Sequence, residues 1–338
     1  MPARKGSAMR IAVIGMGLIG GSVLRAVAEA GHDTYGYDAD PATRGMARTA
    51  AGQARPAHRW HVSASVPEAV ADTDLAVVAV PWPAVAGVVD ELANCGYSGL
   101  VTDVTSVKGP VRDVFRERWR RSGMPLAGFV GGHPMAGRET SGFAAADAKL
   151  FRGAAWALCL EPDETLLADW LDVATLATSL GARVVPTTAT EHDAAVATIS
   201  HVPHLLAAAL MRVAADNPLA LSLGAGSFYD GTRVAASPAD LSAAMCGANS
   251  AAVTTSLASV ADELDAGADA LHSGDPIGAL RGWFASASKA RRAWPPAPSL
   301  PAELPAHPDV LARLGRAGGW VTGVADDRRT VTAIRPAD

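Results

Sequence analysis

Two glycine-rich stretches of this 338-residue chain carry groups that can do chemistry. The first reads Gly-Met-Gly-Leu-Ile-Gly at residues 15–20, and the second reads Gly-Gly-His-Pro-Met-Ala-Gly at residues 131–137. A glycine turn that opens a helix presents free N–H groups to phosphate, and a histidine accepts a proton near neutral pH. We therefore take residues 15–20 as a candidate phosphate loop and His133 as a candidate general base. The alternative role for His133 is a hydrogen-bonded turn residue.

The candidate phosphate loop has the G-x-G-x-x-G spacing in the setting that this motif needs. An apolar, β-branched run at residues 11–14 predicts a buried strand before it, and good helix formers at residues 22–30 predict a helix after it. Gly15 permits the tight turn, Gly17 lets a pyrophosphate approach the backbone, and Gly20 lets the helix pack closely on the strand. This context predicts a dinucleotide-binding domain.

An acidic residue follows the loop at the distance where it would meet the adenosine ribose. A second apolar run, residues 34–37, ends in Asp38. A carboxylate there repels a 2′-phosphate, so the expected cofactor is NAD rather than NADP, a preference that Arg44 would weaken. The expected cofactor-binding residues are Gly15, Gly17, Leu18, Ile19, Gly20, Asp38, Val80 and Pro81.

Three further groups could take part in chemistry, and each has a structural alternative. Ser106 ends a predicted strand and could orient His133 or a substrate, or it could simply cap a helix. His201 and His204 share one helix face and could form a hydrogen-bonded pair; no third ligand stands at a metal-site spacing, so we expect no metal. Arg233 ends a segment predicted to be a flexible loop, where its guanidinium would suit a carboxylate or a surface ion pair.

The elements that must position these groups fall into three segments. Strands alternate with helices through residue 186, which predicts a Rossmann-type, doubly wound α/β domain with a mostly parallel sheet over residues 9–186. Alanine- and leucine-rich segments at helical spacing predict an all-α second domain over residues 187–293, and its apolar content makes it the expected dimerisation domain. Residues 294–338 are expected to form a proline-rich linker and a short tail with one helix and a hairpin.

Composition limits the classes of partner. About half of the residues are apolar, at 49%, and the net charge is −5, so the chain is neither disordered nor a polyanion binder. We expect a small-molecule substrate, no nucleic acid and no membrane, since no apolar stretch beyond the first helix approaches spanning length. Cys95, Cys159 and Cys246 are scattered and odd in number, which fits core residues of a cytoplasmic protein. The apolar helices predict a homodimer.

The motifs occur together in one known pattern. The chain resembles the prephenate/arogenate dehydrogenase (TyrA) family, in register from about residue 9 to residue 290. The segments that carry the resemblance are Gly15–Ser22, Asp103-Val-Thr-Ser-Val-Lys-Gly109, Gly131–Gly137, Ser200-His-Val-Pro-His204 and Asp230-Gly-Thr-Arg233.

The resemblance implies NAD-dependent oxidative decarboxylation of a cyclohexadienyl acid in tyrosine biosynthesis. It assigns catalysis to His133, which would accept the proton of the ring C4 hydroxyl, and to Ser106, which would hydrogen-bond that hydroxyl. Arg233 would bind a substrate carboxylate. The remaining substrate-binding positions that it implies are His204, Glu139 and Asp193.

The sequence also departs from the family and leaves alternatives open. Ser242 stands where many relatives have a tryptophan, which affects one pocket wall. Prephenate is the expected substrate, with arogenate or 4-amino-4-deoxyprephenate as alternatives. A non-catalytic NAD-binding sensor would not need His133, Ser106 and Arg233 together. Hydroxyacid and imine reductases place a lysine or aspartate on the long inter-domain helix, where this chain has His201 and His204.

Overall fold

The computed structural model describes residues 8–122, 128–138 and 140–337, so the predicted site residue Glu139 lies outside the described residues. The chain forms two compact units. The first contains the residues up to His192 together with Leu300–Arg335, and the second contains Asp193–Ser299 with the last residues of the chain. The first unit is therefore built from both ends of the sequence.

A parallel sheet forms the cofactor half of the first unit. Its strands are β1 (Arg10–Ile14), β2 (Asp33–Tyr37), β3 (His61–Val62), β4 (Leu75–Val78), β5 (Leu100–Asp103) and β6 (Gly128–Val130). They lie in the order β3-β2-β1-β4-β5-β6. The helices between them are α1 (Leu18–Glu29), α2 (Pro41–Gln53), α3 (Val66–Val70), α4 (Trp82–Asn94) and α5 (Gly109–Ser122). The apolar strands β1 and β4 are buried, as expected for a parallel sheet with both faces covered by helices.

The chain leaves this sheet at Gly131, which the sequence did not predict. Strand β7 (Gly132–Pro134) pairs antiparallel with β8 (Ala155–Cys159), which pairs parallel with β9 (Arg183–Thr187); α6 (Leu167–Ser179) connects the last two. A Cβ on Gly132 would lie 2.6 Å from the Asp103 carbonyl oxygen, so only glycine fits here. The expectation of one mostly parallel sheet through residue 186 is wrong in this respect, because the strands of the described residues form two sheets.

The second unit is helical, as predicted. Its helices are α7 (Ala189–Val196), α8 (Val202–Ala215), α9 (Pro218–Ser222), α10 (Gly226–Thr232), α11 (Ala239–Ala248), α12 (Ser250–Leu271) and α13 (Pro276–Arg292), the first of which begins in the first unit. A π-helical turn, Ala197–His201, joins α7 to α8. Pro203 lacks an N–H donor for the preceding turn, which accounts for the widened helix.

The helical run Ala189–Ala215 is long and apolar enough to cross a membrane by length and composition, and 28% of its most apolar window is buried. The expectation that no such stretch occurs beyond the first helix is therefore wrong. The exposed side chains on this run include Leu210 and Val213.

The C-terminal segment completes the second sheet of the first unit. Strand β10 (Ala302–Pro305), helix α14 (Pro308–Arg316) and the hairpin β11 (Trp320–Val324) with β12 (Thr330–Ile334) extend it to the order β10-β12-β11-β9-β8-β7. Val321 pairs with Val184 of β9, and Leu311 and Leu314 of α14 are fully buried. Residues 300–335 are thus a docked part of the α/β unit rather than a tail.

The cysteines differ in part from expectation. Cys159 is buried and Cys246 is partly buried, but Cys95 is exposed and does not serve as a core residue. Cys95 is the C-cap of α4, and its thiol donates to the Leu92 carbonyl oxygen. All three are free thiols.

Candidate active site

The loop between β1 and α1 has the shape that a pyrophosphate requires. Gly15 adopts φ +95°, and a Cβ there would lie 2.5 Å from the Ala79 carbonyl oxygen. A Cβ on Gly20 would collide with the Gly15 carbonyl oxygen, so α1 packs directly on the turn. A Cβ on Gly17 would meet nothing within 4 Å, and Gly17 is the N-cap of α1. The middle glycine therefore leaves open space beside free helical N–H groups.

Asp38 is bonded to this loop. Its carboxylate accepts the Met16 N–H at 2.6 Å through Oδ2 and the Asp40 N–H at 2.9 Å through Oδ1. The Arg44 guanidinium lies over the Tyr37 ring, 5.7 Å from its centroid, and donates to the Asp38 and Ala39 carbonyl oxygens. The carboxylate of Asp38 is thus fixed next to the phosphate loop. The loop and this carboxylate together fit a dinucleotide.

His133 lies on β7 and is partly buried. Its Nδ1 is 2.9 Å from Nε2 of His192, and the two rings meet edge to face with centroids 5.1 Å apart. His192 lies on α7 and is buried. Because Nδ1 of His133 is used in this contact, Nε2 is the ring atom that can serve a substrate.

A buried ion pair holds the residue before His133. Asp103 and Lys108 are 0% and 1% exposed, and their side chains are bonded to each other. Asp103 Oδ1 accepts the Gly132 N–H at 3.1 Å, and Lys108 Nζ donates to the Gly132 carbonyl oxygen. Both backbone groups of Gly132 are therefore held by charges, which fixes β7 against the loop after β5. Ser106 lies in this same loop and is partly buried.

Sequence reasoning missed both the ion pair and His192. Asp103 and Lys108 stand at the ends of the Thr-Ser-Val motif, and a buried lysine beside a buried aspartate is the expected arrangement when neither can be buried alone. No spacing in the sequence brings His192 to His133. The resemblance implies a role for the next residue, Asp193, but none for His192.

Other predicted residues lie in the helical unit. His204 is partly buried; its Nδ1 bonds the Ser200 carbonyl oxygen at 2.8 Å and its Nε2 lies 3.5 Å from Ser237 Oγ. Arg233 is exposed and begins a 3-10 turn, Arg233–Ala236, directly after α10. The expected flexible loop before Arg233 is wrong, since Gly226–Thr232 is helical.

One asparagine connects two of the polar residues of the helical unit. Asn249 Nδ2 donates to the Asp193 carbonyl oxygen at 2.8 Å and lies 3.2 Å from Nδ1 of His201. His201 is fully buried, and Asp193 is 7% exposed. His201 therefore takes part in the internal packing of this unit, and its contact is with Asn249 rather than with His204 as the sequence suggested. The carboxylate of Asp193 keeps its predicted role as a prediction.

Comparison with known proteins places both units in one family. Residues 23–186 match the family "Prephenate dehydrogenase, nucleotide-binding domain", and residues 188–284 match "Prephenate dehydrogenase, dimerization domain". The prephenate dehydrogenase of Lactococcus lactis subsp. cremoris is 29% identical over 67% of this chain and 61% of its own length. The chain thus spans about three fifths of that relative.

Two further proteins match over more of their length. The cyclohexadienyl dehydrogenase of Zymomonas mobilis is 31% identical over 67% of this chain and 76% of its own length. The crystal structure of a putative prephenate dehydrogenase from Corynebacterium glutamicum is 32% identical, with a TM-score of 0.76 over 85% of this chain and 90% of that chain. Together with the phosphate loop and the histidine on β7, these matches show that the chain belongs to the prephenate dehydrogenase family.

Proposed function

We propose that this protein is an NAD-dependent prephenate dehydrogenase, which converts prephenate to 4-hydroxyphenylpyruvate and CO2 for tyrosine biosynthesis. The observation that carries the proposal is a partly buried histidine, His133, held through Nδ1 and through both backbone groups of Gly132. It stands in a chain whose first helix begins at a pyrophosphate-shaped glycine loop. Membership of the prephenate dehydrogenase family supports both the role of His133 and the cofactor-binding role of the loop.

NAD, when bound, supplies the hydride acceptor. The glycine loop and the N-terminus of α1 would bind its pyrophosphate, and the free lone pairs of Asp38 would accept the ribose hydroxyls. The carboxylate is already aligned by the Met16 N–H, so little side-chain freedom is lost on binding.

His133 would accept one proton. As hydride leaves ring C4, Nε2 of His133 takes the proton of the C4 hydroxyl, and the C–O bond becomes a carbonyl. The bond from C1 to its carboxylate then breaks and CO2 leaves. The electron pair passes through the ring to the C4 oxygen, which takes the proton back from His133 as the ring becomes aromatic. Ser106 would hydrogen-bond the C4 hydroxyl, and Arg233 would bind a substrate carboxylate. The aromatic product makes a strong general acid unnecessary.

The side chain of the substrate decides between prephenate and arogenate, which carry a keto and an amino group there. We propose His204 as the residue near that side chain, with Glu139 and Asp193 in the surrounding polar network. The Zymomonas relative is named for the wider cyclohexadienyl class, so the assay includes both acids and 4-amino-4-deoxyprephenate.

Reduced-cofactor formation with each acid, in NAD and in NADP, tests the proposal. Turnover of prephenate with NAD supports it. Turnover of arogenate or of the amino-deoxy acid alone would overturn the assignment of prephenate as the substrate but would support the proposed type of reaction. NAD binding without turnover of any of the three would overturn the enzymatic proposal in favour of a sensor.

Asp38 should set the cofactor preference. Asp38→Asn keeps an oxygen for the Met16 N–H and removes the charge that a 2′-phosphate would meet. We expect the ratio of kcat/KM for NADP to that for NAD to rise about tenfold or more. An unchanged ratio would contradict the role of Asp38. Asp40→Asn, at a helix cap two residues away, is the matched control.

We propose that the helical unit forms a homodimer. Most of the exposed large apolar side chains of the described residues lie in the helical unit, among them Val213, Leu223 and Ile277 at 76%, 72% and 74% exposure. The matching family is described as a dimerization domain. A second copy would cover the apolar run Ala189–Ala215 without a membrane. Three free cysteines favour the cytoplasm as its location.

Val213→Asp should dissociate this dimer. A charge buried against apolar side chains of the partner is costly, so we expect the mass by light scattering to halve at micromolar concentration. Leu166→Asp, at a similarly exposed apolar residue of the first unit, should leave the mass unchanged. A Val213→Asp protein that keeps the wild-type mass would place the interface elsewhere.

A further inference from the structure

His192 has no assigned role, yet it is the side chain that contacts the proposed base. It is 4% exposed, and its Nε2 lies 2.9 Å from Nδ1 of His133. A buried imidazole in contact with a second imidazole through one nitrogen of each constrains which nitrogens carry protons. The contact therefore bears on the chemistry of His133.

The proposed reaction fixes the proton arrangement of this pair. Nε2 of His133 must be unprotonated to accept a proton, so the neutral ring carries its hydrogen on Nδ1. Nδ1–H of His133 then donates to Nε2 of His192, and His192 carries its own hydrogen on Nδ1. When His133 becomes an imidazolium, the same hydrogen bond becomes charge-assisted and strengthens. His192 thus stabilises the form of His133 that appears during the reaction.

The position of His192 is fixed from its own helix. Thr188 and Glu191 form a capping box: Thr188 Oγ1 accepts the Glu191 N–H at 3.2 Å, and Glu191 Oε2 accepts the Thr188 N–H at 3.1 Å. A carboxylate oxygen of Glu161 accepts the Ala189 N–H. Side chains therefore accept three backbone N–H groups at the start of α7, those of Thr188, Ala189 and Glu191, and so hold the turn on which His192 lies.

The C-terminal segment adds a further contact to this turn. Arg316 Nε of α14 donates to Glu191 Oε1 at 2.6 Å. A Cβ on Gly315 would collide with the Pro186 carbonyl oxygen at the end of β9, so α14 packs directly on the strand that leads into α7. This pair is exposed and contributes little to stability by itself. The contact with Arg316 nevertheless helps to hold the Glu191 side chain in the orientation that it has in the capping box.

We propose that His192 is a positioning residue that holds the tautomer and the basicity of His133. The proposal rests on the proposed function, in which His133 is the base. Without the His192 acceptor, His133 can place its hydrogen on Nε2, which is the inactive tautomer, and its imidazolium loses a stabilising partner.

Kinetics of His192→Leu and His192→Gln test the role. The leucine variant should lower kcat roughly 10–100-fold, the range seen when the hydrogen-bond partner of a metal-ligating histidine is removed, with KM for the cyclohexadienyl acid within about threefold. On the acidic limb of the pH profile, where kcat falls with falling pH, the midpoint should move to lower pH by about one unit, because the imidazolium of His133 is less stable without His192. The glutamine variant offers an amide oxygen near the position of Nε2 and should recover most of kcat and of the limb.

The other charged groups near the His133–His192 pair are the same in the wild-type protein and in both His192 variants. They are the Asp103–Lys108 pair beside Gly132, Glu161 at the start of α7, and Glu191 and Asp193 on either side of His192 in the chain. His272→Leu, on an exposed histidine at the end of α12, is the matched control and should change neither kcat nor the limb.

A spectroscopic measurement separates this proposal from the proposed function. In protein with ¹⁵N-labelled histidine, assigned through His133→Asn, the His133 ring should carry its hydrogen on Nδ1 and should lose that preference in His192→Leu. This holds whether or not any acid is turned over. A folded His192→Leu protein with wild-type tautomer, kcat and pH limb would overturn the positioning role; failure of the wild-type protein to oxidise any of the acids would overturn only the function.

Discussion

His133→Asn should lower kcat roughly 10²–10⁴-fold, the usual contribution of a general base. Asparagine places a polar atom near the position of Nδ1, so the contact with His192 can persist, but it has no atom in place of Nε2. Proton transfer from the C4 hydroxyl then depends on water. Stopped-flow or steady-state absorbance of the reduced cofactor measures the loss.

Cofactor binding provides the control for this variant. The glycine loop and Asp38 do not depend on His133, so the Kd for NAD, measured by fluorescence titration, should stay within about twofold. His133→Gln, which returns a polar atom near Nε2 without its basicity, should be nearly as inactive. A kcat within tenfold of the wild type in both variants would show that another group accepts the proton.

Lys108→Met should destabilise the first unit strongly. It leaves the Asp103 carboxylate fully buried without its cation, and breaking a buried pair in this way typically costs about 3–5 kcal/mol. The Gly132 carbonyl oxygen loses a donor in the same change, so β7 and His133 lose part of their support. Urea unfolding followed by circular dichroism measures the free energy, and activity below the transition reports the site.

A second substitution isolates the charge. Asp103→Asn in the Lys108→Met background removes the unpaired charge and keeps one of the two oxygens, so that either the Gly132 N–H, now bonded to Oδ1, or the Thr105 N–H, now bonded to Oδ2, keeps its acceptor. We expect this double variant to recover more than half of the lost stability. A loss below about 1 kcal/mol in Lys108→Met, the level of a surface ion pair, would contradict the account.

Local patterns were enough to predict the cofactor half of the fold. Gly15, Gly17 and Gly20 lie within six residues of one another, and the apolar run before them fits a buried strand. The conformation of this loop therefore depends on neighbouring residues and could be predicted from them. The fold class and the helical second unit are confirmed for the same reason: the periods of the apolar residues differ between the two halves.

Pairing between residues far apart in the sequence could not be predicted from local patterns. The second sheet depends on Gly132 passing over the Asp103 carbonyl oxygen and on β11 pairing with β9, and neither partner is near in sequence. The His133–His192 contact has the same origin. The roles of Ser106, His204 and Arg233 stay predictions, since a residue's chemistry depends on a bound substrate as well as on its place in the chain.

The docked C-terminal segment has a consequence for how the protein is made. A ribosome releases strands β7, β8 and β9 long before residues 300–335, so the nascent chain carries an open β9 edge while the helical unit is being synthesised. Closing a loop of that length costs only about 4 kcal/mol of chain entropy, which burial of Leu311, Leu314 and Val321 can offset. Until then the unpaired edge is a site where two nascent chains can associate. Once docked, residues 300–335 therefore protect the first unit from aggregation.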